Sequence, residues 1–252
     1  MKNRPILIVG NWKMNKTIAE TRSFISGLAV ALVKNEVNVG LAVPYTMIAA
    51  AAEAAYETPI MIGAQNVSNY SHGAYTGEIS CTMVKDAGAT FALVGHSERR
   101  HVFHETDALA NQRILKCLES SIKPILCIGE TLTEHQSGKA HEVLSRQILE
   151  GLKGVDQTEM GLVAIAYEPV WAIGTNQAAT PQDVQKTHVF CRDIIAKEWG
   201  RKVADHIVIQ YGGSVSPANA AALLEQPDVD GLLVGGASLS LDSFSKIVLA
   251  RI

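Results

Sequence analysis

Residues 162–175 read LVAIAYEPVWAIGT, and this stretch places one carboxylate at the end of an apolar run. Leu162 to Ala166 are apolar on consecutive residues, which predicts a buried strand. Glu168 therefore stands where a strand stops and a loop starts, and a proline, a tryptophan and a glycine follow it. A bulky apolar loop beside a carboxylate indicates a lid that keeps water off a base.

This strand is one of eight short apolar runs along the chain, several of them apolar on consecutive residues, as parallel strands buried on both faces are. Helix-like segments lie between the runs, and this alternation favours a parallel α/β fold. Eight repeats in 252 residues predict a (β/α)8 TIM barrel that forms one domain over residues 1–252. The runs are Pro5–Val9, Val37–Val43, Ile60–Ala64, Ala89–Val94, Ile122–Ile128, Leu162–Ala166, His206–Ile209 and Val229–Val234. A doubly wound open sheet is the alternative, but no G-x-G-x-x-G follows the first run.

Three helix starts are marked in the sequence. Thr17-Ile18-Ala19-Glu20 is a capping box that predicts a helix running toward Lys34. Thr180-Pro181-Gln182-Asp183 orders a cap, a first-turn proline and an acid, and Gly200 predicts the end of that helix. Ser216-Pro217 predicts another helix start.

Composition excludes several classes of protein. The formal net charge is −3 and no stretch is strongly basic, so we expect neither nucleic acid nor an anionic membrane as partner. No apolar run approaches the roughly 18 residues of a membrane span, and the early run Pro5–Gly10 is shorter than a signal-peptide core. The four cysteines form no C-x-x-C pair and are expected to be apolar fillers in a reduced, cytoplasmic setting.

Polar residues follow the predicted strands at the end where a barrel builds its active site. Each of these groups, taken singly, is more often structural than functional. This holds for a lysine on a loop, a lone histidine, a glutamate at a strand end and a Gly-Gly pair. Five such groups on one barrel face favour a functional site. They are Asn11-Trp12-Lys13, His96-Ser97-Glu98, Glu168, Gly212-Gly213-Ser214 and Gly235-Gly236.

Metal and nucleotide sites are not indicated. His96, His101 and His104 are spaced by five and three residues, which does not place all three on one helical face. No P-loop pattern is present. We therefore expect no metal and no organic cofactor.

Six motifs in register resemble those of the triosephosphate isomerase family, one per expected strand end from residue 11 to residue 238. They are residues 11–15 (NWKMN), 94–100 (VGHSERR), 127–130 (CIGE), 166–175 (AYEPVWAIGT), 211–215 (YGGSV) and 233–238 (LVGGAS). The resemblance implies reversible interconversion of dihydroxyacetone phosphate and D-glyceraldehyde 3-phosphate through an enediolate, in glycolysis and gluconeogenesis.

The resemblance also implies a role for each polar residue. Glu168 would be the base, strengthened by desolvation under Val170, Trp171 and Ile173. His96, neutral at a helix N-terminus that starts at Ser97, would be the electrophile. Lys13 would supply positive charge and Asn11 a side-chain donor to the substrate.

The remaining implied residues hold the phosphate and the site. Backbone N–H groups of Gly174, Ser214, Gly235 and Gly236 would bind phosphate, with residues 237–239 forming a short extra helix. Glu98 would contact Lys13 rather than react, although an exposed acid at a helix start is the alternative interpretation.

The polar stretch from Gln65 to Glu78 resembles the family's interdigitating loop. The resemblance implies a homodimer in which Thr76 approaches Asn11 and His96 of the second subunit.

One departure concerns the lid. Asn176 and Gln177 stand where lids of the family commonly have glycine and often lysine. We expect altered lid opening, so that Asn176→Gly would change turnover and apparent affinity together.

Competing functions stay open at this point. Another phosphate-binding barrel enzyme acting on a larger sugar phosphate is one, and the lid around Trp171 argues against it. A catalytically silent barrel that serves as a binding or scaffold protein is another, and the presence of all four chemical residues gives it little support.

Overall fold

The computed structural model describes residues 4–32, 37–172 and 179–250. Eight parallel strands close into a barrel, each paired with its neighbours in chain order and the last with the first. The predicted (β/α)8 TIM barrel is therefore confirmed. The strands are β1 (Leu7–Asn11), β2 (Asn38–Val43), β3 (Ile60–Ala64), β4 (Phe91–Val94), β5 (Lys123–Ile128), β6 (Ala164–Tyr167), β7 (Val208–Tyr211) and β8 (Gly231–Val234).

Helices surround the strands. Short 3₁₀ turns cover Tyr45–Met47, Glu159–Leu162, Val170–Ala172 and Gly236–Leu239. The α-helices of the described ranges are α1 (Ile18–Ala31), α2 (Ile48–Ala54), α3 (Cys81–Asp86), α4 (Ser97–His101), α5 (Asp107–Glu119), α6 (Leu132–Gln136), α7 (Ala140–Gly151), α8 (Pro181–Trp199), α9 (Arg201–Ala204), α10 (Ala220–Leu224) and α11 (Leu241–Val248).

Two of the three predicted helix starts are confirmed. Thr17 and Glu20 form the reciprocal capping box of α1, and Thr180 caps α8, which ends at Gly200 with a φ of 92°. The predicted extent to Lys34 lies partly outside the described residues. The start at Ser216-Pro217 is wrong, because the side chain of Asn219 accepts the Ser216 N–H at 2.8 Å and holds a turn that delays α10 to Ala220.

Several predicted strand bounds are shifted toward the C-terminus. The strand predicted at Pro5–Val9 runs from Leu7 to Asn11, so Asn11 ends β1 rather than following it. The strand predicted at His206–Ile209 runs from Val208 to Tyr211. Apolar runs report burial, whereas a strand is defined by its ladder of hydrogen bonds, and a buried polar residue belongs to the ladder as readily as an apolar one.

Inside the barrel, aliphatic and small side chains pack around Phe91. Gly63 leaves room for this ring, since a Cβ added there would lie 2.4 Å from it. A second, larger core lies between the strands and the helices. Filling both sides of the sheet fixes the positions of the strand ends that carry the polar residues.

Among the helices of the described residues, none has the length and apolarity needed to cross a membrane.

Candidate active site

The predicted polar residues meet at the mouth of the barrel where the strands end. Asn11, Lys13, His96 and Glu168 line one side of a cavity of about 250 Å³, and glycine-rich loops after β7 and β8 line the other. The loop residues are Gly212, Gly213, Ser214, Val215, Gly235, Gly236 and Ala237. Ser97 and Glu98 lie beside this wall and contact Glu168 and Lys13, respectively.

Glu168 is buried and held at three points. Its backbone N–H donates to the carbonyl of Ile128 at 2.7 Å. Its Oε2 accepts the backbone N–H of Ser97 at 3.1 Å, and its Oε1 lies 3.0 Å from His96 Nε2. The carboxylate therefore links the end of β6 to the start of α4.

The electrostatics of Glu168 differ from the sequence-based expectation of a strengthened base. Burial alone would raise the pKa of this carboxyl, but the charge and hydrogen bond of His96 oppose it. The Ser97 N–H and the charge of Lys13 act in the same direction as His96, so the pKa of Glu168 lies below its ordinary value. Desolvation acts to raise the pKa of Glu168, but direct pairing with the imidazole and the other lowering contacts outweigh it.

His96 occupies the N-cap position of α4. Its Nδ1 accepts the backbone N–H of Glu98 at 3.2 Å, which places the proton of the neutral ring on Nε2. Burial would lower the pKa of His96, but the charge of Glu168 and its hydrogen bond leave that pKa above the ordinary value. The raised pKa departs from the neutral imidazole expected from the sequence, whereas the Nδ1 contact fits the neutral ring. In both forms Nε2–H points at the Glu168 carboxylate and can donate to an oxygen placed there.

Lys13 adopts an unusual backbone conformation with a φ of 52°. Its N–H donates to Asn11 Oδ1 at 3.0 Å, and its carbonyl accepts Nε2 of Gln65 at 2.8 Å. These two bonds hold a left-handed geometry that costs roughly 1–2 kcal/mol in a residue with a Cβ. Lys13 Nζ reaches Glu98 Oε1 at 2.7 Å.

Lys13 also faces the glycine-rich side of the mouth. A Cβ built on Gly235 would lie 3.9 Å from Lys13 Nζ, while one built on Gly236 meets nothing within 4 Å. The space beside Gly236 is therefore open, and the side chain of Lys13 borders the space beside Gly235, so a cation lies next to a glycine-rich pocket, as a phosphate site requires.

The loops on this side are held by local hydrogen bonds. Ser238 donates from both its backbone N–H and its Oγ to the carbonyl of Gly235, at 2.8 and 2.7 Å, within the 3₁₀ turn that follows β8. Asn219 Nδ2 donates to the carbonyl of Ser214 at 3.0 Å and shapes the loop after β7.

Two glycines make room for Glu168. A Cβ on Gly129 would lie 1.8 Å from the carbonyl oxygen of Glu168, and one on Gly212 would lie 2.8 Å from its Cγ. The side chain of Gln147 brackets Gly129, accepting its N–H at 2.7 Å and donating to its carbonyl at 3.2 Å. The side chain of Glu168 is thus fitted between two stretches of close backbone.

Glu130 anchors the start of the predicted lid. Its Oε1 accepts the indole N–H of Trp171 at 2.8 Å and the hydroxyl of Tyr167 at 3.1 Å. The ring of His135 lies 4.7 Å from that of Trp171. Sequence reasoning quoted Glu130 only as part of a motif; an acidic residue just after the apolar strand β5 was the available signal.

Gln65, Gln147 and Asn219 were not predicted as site residues either. Their amide side chains position Lys13, Gly129 and the Ser214 loop across long stretches of sequence. No local pattern marks such partners, because the distances are set by the closed barrel.

Some predicted residues lie elsewhere. Thr76 is exposed in the segment 71–78 and does not line the mouth of its own chain. Ile173 and Gly174, with the departure at Asn176 and Gln177, fall outside the described residues. Over the described ranges, no group of three His, Cys, Asp or Glu side chains could hold a metal ion.

Comparisons with known proteins agree on one family. The family model described as Triosephosphate isomerase matches residues 6–251. The triosephosphate isomerase of Protochlamydia amoebophila is 48% identical over 98% of this chain and 93% of that protein. The corresponding protein of Fusobacterium nucleatum subsp. nucleatum is 46% identical over 98% of this chain and 99% of that protein. That of Caldanaerobacter subterraneus subsp. tengcongensis is 45% identical over 97% of this chain and 98% of that protein.

Proposed function

The chain belongs to the triosephosphate isomerase family, which makes it an isomerase of triose phosphates, and we propose that Glu168, His96 and Lys13 carry out the reaction at the barrel mouth. The reaction interconverts dihydroxyacetone phosphate and D-glyceraldehyde 3-phosphate. The observation that supports this assignment of roles is the 3.0 Å contact of the buried base and imidazole beside an open glycine-rich pocket.

The chemistry moves one proton between neighbouring carbons. Glu168 takes a proton from the carbon beside the ketone, and the electron pair of that C–H bond moves onto the carbonyl oxygen to give an enediolate. The proton of the C1 hydroxyl passes to the C2 oxygen by way of Nε2 of His96, and the carboxylic acid of Glu168 returns its own proton to C2. The C1–O⁻ pair then closes to the aldehyde, and the C2 oxygen is left as the hydroxyl. Nε2–H of His96, Nζ of Lys13 and the amide of Asn11 stabilise the charge on the two oxygens.

Substrate must enter between Glu168 and His96, because the free protein pairs them directly. Once the substrate oxygens accept the Nε2–H, Glu168 loses that hydrogen bond. Burial, which acts to raise the pKa of Glu168, is then opposed less strongly, so this pKa rises. The base therefore strengthens on binding. Carbon-13 NMR of the Glu168 carboxyl checks this: it should titrate at lower pH in the free protein than with an unreactive phosphorylated hydroxamate bound. Equal titration in both states would contradict it.

The phosphate is proposed to bind at the backbone N–H groups of Ser214, Gly235 and Gly236, with Lys13 beside them and Gly174 contributing from the lid. The open space at Gly236 and the 3.9 Å approach of Lys13 Nζ to a Cβ position on Gly235 support this placement. Glu98 holds Lys13 in reach of the phosphate and is not itself a reactant.

The test is an isomerase assay with glyceraldehyde 3-phosphate, coupled to reduction of the dihydroxyacetone phosphate formed. Glu168→Gln should lower kcat by at least about 1,000-fold, because the amide is not a base. Glu150→Gln, at an exposed position in α7, is the matched control and should leave kcat unchanged. A folded wild type without turnover would refute the catalytic assignment and favour a silent scaffold.

We propose that the protein works as a homodimer in which the segment 65–78 of one subunit covers the mouth of the other. A cavity of about 270 Å³ opens beside Asn11 and Lys13 and is bordered by Met14 and Phe103. These two side chains are 95% and 60% exposed, a large apolar area next to charged catalytic groups. Insertion of the partner's Thr76 segment would bury that area.

The segment is suited to insertion because it is stiffened. The rings of Tyr70 and Tyr75 stack with centroids 3.7 Å apart, and the backbone N–H of Ser68 donates to Ile79 at 2.8 Å. A preformed loop loses less conformational entropy on docking.

Sedimentation and activity measured over a dilution series test the dimer. Thr76→Glu should shift the protein toward monomer and lower kcat, whereas Ala222→Glu, which adds the same charge on the exposed face of α10, should change neither. A fully active wild-type monomer would overturn the proposal.

The enzyme is proposed to act in glycolysis and gluconeogenesis within the cytoplasm. Four buried free cysteines support a reducing compartment, since structural disulfides are rare there. Fractionation of the native cell with a thiol-state measurement would test this location, and recovery of the protein outside the cytoplasm would contradict it.

A further inference from the structure

Two of the four cysteines lie against each other on neighbouring outer helices. Cys81 is the first residue of α3 and Cys117 lies near the end of α5, with their Sγ atoms 3.9 Å apart. Cys127 and Cys191 lie elsewhere, on β5 and α8. The contact brings together thiols that are 36 residues apart in the chain.

The two helices are held in register at this point. Lys85 Nζ on α3 donates to the carbonyl of Ser120, just past the end of α5, at 2.9 Å. Both thiols belong to the main core. A disulfide has an S–S length of about 2.05 Å, so forming one here requires the sulfur atoms to approach by roughly 2 Å.

We propose that Cys81 and Cys117 form a site of reversible oxidation, which a hydroperoxide converts to an intramolecular disulfide between α3 and α5.

The two thiols are chemically unequal. The hydrogen bond from Cys117 lowers the pKa of Cys81 against the effect of burial, and the charge of Lys116 and a hydrogen bond from Ser120 act with it, while Glu119 opposes. The same bond, together with burial, raises the pKa of Cys117 well above its ordinary value, although the charge of Arg113 acts against this. Cys81 is therefore the nucleophile and Cys117 the resolving thiol.

The oxidation balances in two steps. The Cys81 thiolate attacks one oxygen of hydrogen peroxide; an S–O bond forms, the O–O bond breaks, and the leaving hydroxide takes a proton to become water. Cys117 then attacks the sulfenic sulfur; the S–S bond forms, the S–O bond breaks, and the Cys117 proton leaves with the hydroxide as a second water.

Access to the buried pair comes from its place in the fold. Cys81 and Cys117 are 1% and 0% exposed, so the oxidant reaches them through local opening. The helix α3 has six residues, and four of them (Thr82, Met83, Lys85 and Asp86) are exposed. Short elements with few buried residues open at lower free energy than the core does.

The closed link constrains the base of the segment that carries Thr76. The residue before Cys81 is Ser80, whose Oγ caps α3 by accepting the N–H of Met83 at 3.3 Å. A covalent tie at Cys81 fixes this cap to α5. Because the bond closes a loop of about 37 residues, the oxidised protein should unfold at a temperature higher by about 5 °C or more.

The test is incubation of the purified protein with excess hydrogen peroxide for hours, then alkylation of free thiols in denaturant and mass spectrometry. Wild type should change from four alkylated cysteines to two, with peptide mapping linking Cys81 to Cys117, and a thiol reductant should restore all four. Cys191→Ala, which removes an equally buried thiol, should still form the link and retain one free thiol.

Cys117→Ala separates the two chemical steps. Without its resolving partner, Cys81 should stop as a sulfenic acid that dimedone traps, and the rise in unfolding temperature should be absent. Wild-type thiols that all remain free, a link between other cysteines, or a link that persists in Cys117→Ala would each overturn the proposal.

Discussion

Gly212→Ala tests whether the position of Glu168 limits catalysis. The new Cβ would lie 2.8 Å from Glu168 Cγ and 3.4 Å from the carbonyl oxygen of Tyr167. Carbon atoms pack at about 3.5–4.0 Å, so one side must give by roughly 0.7–1.2 Å. The backbones are tied, because the Gly212 N–H donates to the Tyr167 carbonyl at 2.7 Å. The side chain of Glu168 is therefore the part that moves.

The displacement sets the expected size of the effect. A misplacement of about 1 Å at a reacting group costs on the order of 100-fold in rate, which corresponds to roughly 2.7 kcal/mol of activation free energy. Overpacking should also lower the free energy of unfolding by about 1–3 kcal/mol. KM should change less than kcat, because the phosphate side around Gly235 is untouched.

Steady-state kinetics with glyceraldehyde 3-phosphate, beside urea unfolding, measures both quantities. Gly161→Ala is the matched control, since a Cβ there meets no atom within 4 Å and should alter neither rate nor stability. Wild-type kcat in folded Gly212→Ala would refute the argument, and so would a change confined to KM.

Three further results are expected. Gly129→Ala should lose more than about 4 kcal/mol of unfolding free energy in a urea titration, because its Cβ would lie 1.8 Å from a backbone carbonyl oxygen. Arg192→Met should cost about 2 kcal/mol in the same measurement, since it removes a 2.6 Å ion pair with the fully buried Asp230, whose carboxylate stays paired with Arg4 at 2.7 Å. The lowered pKa of Glu168 stabilises the fold above about pH 4.3 and is lost toward acid, whereas the raised pKa of His96 stabilises it below about pH 6.5 and is lost toward base. The stability advantage of wild type over Glu168→Gln should therefore peak between these pH values, and a flat difference would contradict the pairing.

Sequence reasoning located the fold, and it predicted which polar residues meet at the barrel mouth, for a definite physical reason. The strands of a parallel barrel end on one face, so a carboxylate after β6 and an imidazole after β4 must meet without knowledge of any distance. The same reasoning misplaced the bounds of β1 and β7, because Asn11 and Gln210 are polar residues inside the strands. Alternation of apolar runs shows that strands exist, and it does not show where their hydrogen bonds end.

The partners that hold the site could not be read from the sequence. Gln65 reaches the carbonyl of Lys13 across 52 residues, and Gln147 reaches Gly129 across 18. Glutamine on a loop or a helix is ordinary, and only the closed barrel brings these amides to the backbone they bind. The positive φ of Lys13 is likewise invisible in sequence, because lysine carries no preference for the left-handed region.

The pairing of Glu168 with His96 also explains why the phosphate site matters for the chemistry. Two titratable groups can be buried at the mouth because each satisfies the other, and leaving either alone would be costly. A substrate has to separate them before the base can act, which opposes binding at the reacting end. The free energy for this separation must come from the part of the substrate that does not react, which is the phosphate that we propose to lie beside Ser214, Gly235 and Lys13. On that proposal the glycine-rich loops contribute to the rate of proton transfer as well as to affinity, although they lie apart from the carbon that loses its proton.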